Sequence, residues 1–296
     1  MKTCPTPANA VGQVENLPHT LLAKGVGQVE NLPHKETMNT LKYKKQYRRR
    51  LPHIQPPGAT FFITFRLADS IPSEVWQELR ERLDLIYSEL ADESANEEAS
   101  ALERERLWFQ EYEEHLHNTR DGPFWLKDER IAALVAEAFH HLDGDRYRLD
   151  AFCVMPNHAH VVLMPFPTTE AGKAACLNNQ LAQDREGNLG YLIKGEGGER
   201  QFVAVTFHSL ASIMHSIKRH TALEANRLLG RSGAFWQDES YDHYTRDHEE
   251  WLRTISYVLN NPVKAGLVKE WQEWRWNWRR EEIVGQVGNL PHSSSE

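Results

Sequence analysis

Residues 150–164 read Asp-Ala-Phe-Cys-Val-Met-Pro-Asn-His-Ala-His-Val-Val-Leu-Met, an apolar, β-branched run with two histidines one residue apart. Successive side chains of a β-strand point to opposite faces, so His158 and His160 share one face while Ala159, Val161 and Leu163 share the other. The alternation predicts a strand that packs on a core by one face and offers two imidazoles to one cation from the other. A lone strand histidine is more often structural, and the pairing is what raises a metal reading. Two other close pairs serve as controls. His115 and His117 lie in an acidic helical stretch, where i and i+2 diverge around the helix, and His140 and His141 are adjacent on a helix. Both pairs are read as solvated surface.

Two histidines leave a divalent ion with open positions, and residues 249–261, Glu-Glu-Trp-Leu-Arg-Thr-Ile-Ser-Tyr-Val-Leu-Asn-Asn, offer further groups. Leu252, Ile255 and Leu259 recur at helical spacing, which places Tyr257 and Asn261 one turn apart on one face. Pro262 follows, and the residue before a proline is pushed out of the α region, so Asn261 is expected at the helix end. Tyr241 and Tyr244 are rival nucleophiles, but neither has an amide or carboxylate at helical spacing, and their segment alternates like a strand.

These strings resemble the single-tyrosine HUH-superfamily transposases, and within them the REP-associated tyrosine transposases. The resemblance runs from about Tyr47 to Trp278. It rests on Arg48-Arg49-Arg50 before the Thr60–Phe65 strand, on Met155-Pro-Asn-His-Ala-His160, and on Tyr257-Val-Leu-Asn-Asn-Pro-Val-Lys-Ala-Gly-Leu-Val268. It implies that His158 and His160 bind a divalent metal, that Asn261 completes the protein ligand set and that Tyr257 is the nucleophile. The implied fold is α+β, a ferredoxin-like antiparallel sheet with helices on one face, to which this chain adds an acidic helical insertion.

The chemistry of such a site follows from its groups. A cation held open-sided can neutralise a non-bridging phosphate oxygen during in-line attack, imidazole favouring Mn²⁺ and availability favouring Mg²⁺. A phenol has a pKa of about 10, below that of a sugar hydroxyl, so the phosphotyrosine bond stays breakable. The expected activity is cleavage and rejoining of single-stranded DNA. Two alternatives are a hairpin-binding regulator that does not cleave, and a replication-initiator or relaxase nicking activity. The single tyrosine and the flanking repeats suit the latter less well.

Val-Gly-Gln-Val-Glu-Asn-Leu-Pro-His occurs at residues 11–19 and 26–34, and Val-Gly-Gln-Val-Gly-Asn-Leu-Pro-His at 284–292. The copies are short, polar and flank the chain, unlike repeats that stack into a fold. Val-Gly-Gln-Val back-translates as GTG GGG CAG GTT, whose reverse complement, AAC CTG CCC CAC, encodes Asn-Leu-Pro-His. Each copy can therefore be an inverted repeat able to form a hairpin in single-stranded DNA, the element on which the resembled enzymes act. Residues 1–37 are then expected to be disordered or over-called sequence, with Met38 as the start, and 284–296 a disordered tail. Between them lies one transposase domain, 38–283, with an acidic helical hairpin projecting from the sheet at 73–120 and a loop insertion at 166–203.

The net charge of −8 gives no overall attraction to nucleic acid, so its distribution matters more. Lys42, Lys44, Lys45, Arg48, Arg49 and Arg50 are interleaved with Tyr43 and Tyr47, a composition suited to phosphate contact and base stacking. Residues 209–229 read as an amphipathic helix capped by Ser209, with Leu210, Ile213, Ile217, Thr221 and Leu228 inward and Lys218, Arg219 and Arg227 outward. These cations are expected to grip a DNA hairpin while the acidic insertion faces away. The tryptophans at 271, 274, 276 and 278 are assigned to core packing. Three scattered cysteines form neither a disulfide framework nor a zinc spacing. With no membrane-spanning segment or signal-peptide pattern, a cytoplasmic protein, monomeric or homodimeric, is expected.

Overall fold

The computed structural model describes residues 47–48, 52–53, 55–79, 81–82, 85, 97–119, 121–195 and 197–283. The expectations for the two tails fall outside this range. So do those for the basic arm, apart from the backbone of a two-residue strand β1 (Tyr47–Arg48), which pairs with β2 (Pro52–His53).

The main sheet has five antiparallel strands in the order β10-β4-β5-β3-β9. These are β3 (Phe61–Arg66), β4 (Tyr147–Val154), β5 (His158–Pro165), β9 (Tyr241–Tyr244) and β10 (Asn277–Arg279). Helix α3 (Glu129–His141) links β3 to β4, and α5 (Leu210–Leu228) lies between β5 and β9. Two split βαβ units therefore interlock, each placing its strands around a strand of the other, which is the ferredoxin-like arrangement. β4 and β5 form a hairpin closed by Met155 N–H donating to the His158 carbonyl at 2.9 Å.

Strand alternation divides the core in two. Phe61, Ile63, Phe65, Ala159, Val161 and Leu163 face α3 and α5, where they meet Ile131, Val135, Phe139, Ile213 and Ile217. Ser209 caps α5 as expected, accepting from Ser212 N–H, and Leu210, Ile213, Ile217 and Thr221 are buried. Helices on one face are thus present, but the opposite face is covered as well. There Phe62, Cys153 and Val162 pack under α2 (Glu97–Asn118) and α6 (His248–Lys264) through Trp108, Tyr112, Leu116, Ile255, Val258 and Leu259. The C-terminal tryptophans are partly buried against these cores, Trp276 and Trp278 on the first and Trp271 and Trp274 on the second.

Three expectations are corrected. First, the acidic insertion does not project from the sheet. α1, described over residues 73–79 and 81–82, is joined to α2 by the Arg82–Glu111 ion pair at 3.1 Å and the Trp76–Trp108 contact. Trp108, Tyr112 and Leu116, at i, i+4 and i+8, form a buried stripe, with Glu113 buried beside it and Glu114 exposed.

Second, 166–203 is not simply a loop. It holds α4 (Glu170–Leu177), capped by Thr169, and a three-stranded antiparallel sheet, β6 (Ala182–Gln183), β7 (Leu189–Lys194) and β8 (Arg200–Ala204). One of its glycines, Gly190, belongs to the sheet, where a Cβ would collide with the Phe202 ring and the Val203 carbonyl. Third, α6 continues through Pro262 to Lys264, so Asn261 lies inside the last turn. The proline there leaves the Val258 carbonyl without its i+4 helical donor.

Because α2 is packed, Leu116→Ala should lower unfolding stability by about 2–5 kcal/mol in urea denaturation, against under about 0.5 kcal/mol for a projecting, solvated hairpin.

Candidate metal and nucleophile site

β5 presents His158 and His160 on the face beneath α2 and α6, and both are fully buried. The register sets their second contacts. His160 lies opposite Thr64, and its Nδ1 is 2.8 Å from the Thr64 hydroxyl. His158 Nδ1 is 2.7 Å from Asn157 Oδ1, and the Asn157 amide nitrogen donates to the Leu116 carbonyl at 2.9 Å. That second bond turns the Asn157 oxygen toward His158, so the His158 proton sits on Nδ1 and its Nε2 carries a lone pair.

The two Nε2 atoms face each other at 3.0 Å. In the tautomer in which His160 donates from Nδ1 to Thr64, both Nε2 atoms carry lone pairs, and a cation between them would remove their repulsion. Metal-ligating histidines commonly show this arrangement, one ring nitrogen tied to an oxygen and the other turned to the ion.

Two groups from α2 join the pair. Glu113 Oε1 lies 3.1 Å from His160 Nε2 and has no partner of hydrogen-bonding geometry, although the residue is 6% exposed. His117 Nε2 is 2.8 Å from Asn261 Oδ1, and the His117 and His158 ring centroids are 5.7 Å apart. Glu113, His117 and His158 each bring a ligand atom within 4.8 Å of the others, a set that can hold a metal ion. The surface reading of His117 is thereby corrected, since it shares the buried site. His115 and His117 do diverge, as i and i+2 must. The informative spacing is Glu113 to His117, i and i+4 on one helix face, a signal that histidine pairs alone do not carry.

Burial dominates the electrostatics. It pushes the Glu113 carboxyl up to about 8, against the opposing pulls of Lys264 and Asn261. It drives His160 down to about 3 and His158 well below the usual imidazole range. Without a cation the cluster therefore favours neutral groups. A bound divalent ion reverses that preference for the carboxyl and uses the imidazoles as they stand. The donor set and the orphaned Glu113 oxygen fit such an ion.

α6 adds Tyr257, Asn261 and Lys264 at i, i+4 and i+7. The Tyr257 ring is 6.1 Å from that of His160 and 5.8 Å from those of Phe62 and Phe109, with Lys264 Nζ 4.1 Å from its centroid. Its hydroxyl is buried without a hydrogen-bond partner, as is the Asn261 amide nitrogen. The tyrosine borders a cavity of about 950 Å³ whose walls also carry Arg106, Arg246, Arg253 and Lys264 together with Phe62, Phe109 and Tyr241. Of the rival tyrosines, Tyr241 stacks on Phe109 at 4.5 Å, while Tyr244 packs against the core on the opposite face.

The other expected DNA contacts do not converge here. Lys218, Arg219 and Arg227 belong to α5, which covers the sheet face opposite the histidines. Lys218 donates to the carbonyls of Gln237 and Asp238, Arg227 pairs with Glu224 at 2.9 Å, and Arg219 is exposed.

The chain is similar to a REP-associated tyrosine transposase. The similarity is to a solved structure of that protein bound to a REP hairpin, with 16% identity over 84% of this chain and 89% of that chain and a TM-score of 0.40. No family model matches, and neither does any curated protein. Among the described residues no helix is long and apolar enough to cross a membrane.

Glu250 on the cavity wall accepts from His243 at 2.9 Å and from Arg246 at 3.1 Å. Burial opposes its charge, but these partners prevail and hold the carboxyl at about 2. A carboxylate with a depressed pKa stabilises the fold above its ordinary value near 4.5, and that contribution is lost as pH falls through about 2. Glu250→Gln should therefore lower stability near neutrality by on the order of 2 kcal/mol, and the gap from wild type should close between about pH 4.5 and 2 in denaturant titrations.

Proposed function

We propose that the protein is a metal-dependent single-strand DNA endonuclease and strand transferase that acts on REP-like palindromic hairpins and serves DNA transposition. The observation that supports this reading is the buried, unpartnered Tyr257 hydroxyl, on a ring 6.1 Å from that of His160 and on the wall of a cavity lined by aromatic, basic and acidic side chains.

Tyr257 is the nucleophile. Its oxygen attacks the phosphorus in line, forming the phosphotyrosine bond as the bond to the 3′-oxygen breaks. The phenol gives up its proton and the departing oxygen takes one up, leaving a free 3′-hydroxyl and a 5′-phosphotyrosine. A second 3′-hydroxyl reverses the step, so rejoining needs no ATP. His158, His160 and Asn261 would hold Mg²⁺ or Mn²⁺, and such an ion would supply charge neutralisation at a phosphate oxygen. Asn157 and Thr64 fix the two imidazoles, and rotation of the Asn261 amide exchanges its oxygen with the orphaned nitrogen. The ammonium of Lys264, close to the Tyr257 ring, favours negative charge developing on the phenol oxygen.

The cavity takes the scissile strand, with arginines and Lys264 toward phosphates and Phe62, Phe109 and Tyr241 available for base stacking. The basic arm at residues 42–50 holds the hairpin duplex. Tyr257 and the histidines of one chain meet, which supports cleavage within a single subunit.

The test is incubation of the full chain with single-stranded DNA carrying the back-translated palindrome and its flanks, in Mn²⁺ or EDTA, followed by denaturing electrophoresis. A metal-dependent covalent adduct is expected, absent in Tyr257→Phe, whose hairpin binding should stay within about twofold of wild type, under about 0.4 kcal/mol. Cleavage by Tyr257→Phe would refute the nucleophile. Tight binding without an adduct in wild type would instead favour a non-catalytic hairpin-binding regulator.

A further inference from the structure

The proposed ligand set of His158, His160 and Asn261 comes from β5 and α6, yet the buried cluster also includes two groups from the acidic insertion. We infer that α2 is part of the metal centre, with Glu113 and His117 binding the same cation as His158. This inference rests on the metal-dependent reading above and extends it to a segment with no match in the motifs that carry the family resemblance.

Three independent features support it. Glu113 Oε1 is buried and unpartnered, and it lies 3.1 Å from a histidine nitrogen of the pair. Leaving a carboxyl oxygen buried and unsatisfied is costly, and a cation removes that cost. His117, one turn further along the same helix face, contacts the Asn261 oxygen at 2.8 Å, so the two elements already converge. The Asn157 amide, which orients His158, donates to the Leu116 carbonyl, tying the α2 backbone to the histidine turn. An insertion that merely covered the sheet would need none of these contacts.

Two imidazoles, His117 and His158, and the Glu113 carboxylate make a nitrogen-rich set, which favours Mn²⁺, Co²⁺ or Zn²⁺ over Mg²⁺. Since α2 also lines the cavity through Arg106, Phe109 and Gln110, cation binding would fix one wall of the strand-binding site.

The experiment is calorimetric titration of the full chain with Mn²⁺ and Mg²⁺, with Co²⁺ absorption spectra as a direct report on the ligands. Wild type is compared with Glu113→Gln, His117→Ala and His158→Ala, and melting of each metal-free protein checks folding. Glu113→Gln and His117→Ala are expected to weaken Mn²⁺ binding by about tenfold or more and to alter the Co²⁺ visible bands. His117 is only half buried, so its variant carries the test if Glu113→Gln does not fold. Binding within twofold of wild type and an unchanged Co²⁺ spectrum in His117→Ala, alongside loss of binding in His158→Ala, would overturn the role of α2 and leave the two-histidine centre standing. Failure of wild type to bind either Mn²⁺ or Co²⁺ would overturn both the centre and this extension of it.

Discussion

Two buried imidazole nitrogens facing each other at 3.0 Å are the constraint on which the site depends. Neither ring can turn away, because each is tied through its other nitrogen: His158 to the Asn157 amide, and His160 to the Thr64 hydroxyl across the strand pair. The β4–β5 hairpin and the β3–β5 register hold those ties in place. A strand slip of one residue would send both rings into the opposite core, where Val161 and Leu163 now pack. The sheet thus determines the geometry of the site as well as its location.

Around this pair the two outer helices have different parts. α6 brings Tyr257 and Asn261 one turn apart, and its apolar face, with Ile255 and Leu259, fixes their direction. α2 brings Glu113 and His117 one turn apart on the other side, held down by Trp108, Tyr112 and Leu116. The cavity lies where these helices and β9 leave the sheet face open, and Tyr257 is on its wall. This arrangement suits a reaction in which a strand must be bound, cut and held until it is rejoined.

Much of the architecture could be read from local patterns. The period-two alternation around His158 identified the strand and its two faces, and the 3.6-residue spacing of Ile255 and Leu259 placed Tyr257 beside Asn261. Ser209 capped the helix that its position announced. What escaped depended on contacts distant in sequence. The acidic composition of 73–120 described the solvent side of α2 and hid the thinner buried stripe beneath it. Asn261 and His117 are 144 residues apart, so no local spacing could pair them. Glycine-rich 166–203 read as loop because a glycine that permits close strand packing looks the same in sequence as one that makes a turn. The outward cations of α5 were correctly placed on their helix, but the helix lies on the other side of the sheet from the histidines.

The most direct test is to locate the ion itself. Crystals of the protein soaked in Mn²⁺ should give an anomalous-difference peak between the two histidines, about 2.2 Å from the Nε2 atoms of both and within reach of Tyr257 across the same opening. A peak elsewhere on the molecule, or none at this position with the two Nε2 atoms still 3.0 Å apart, would contradict a metal-centred active site.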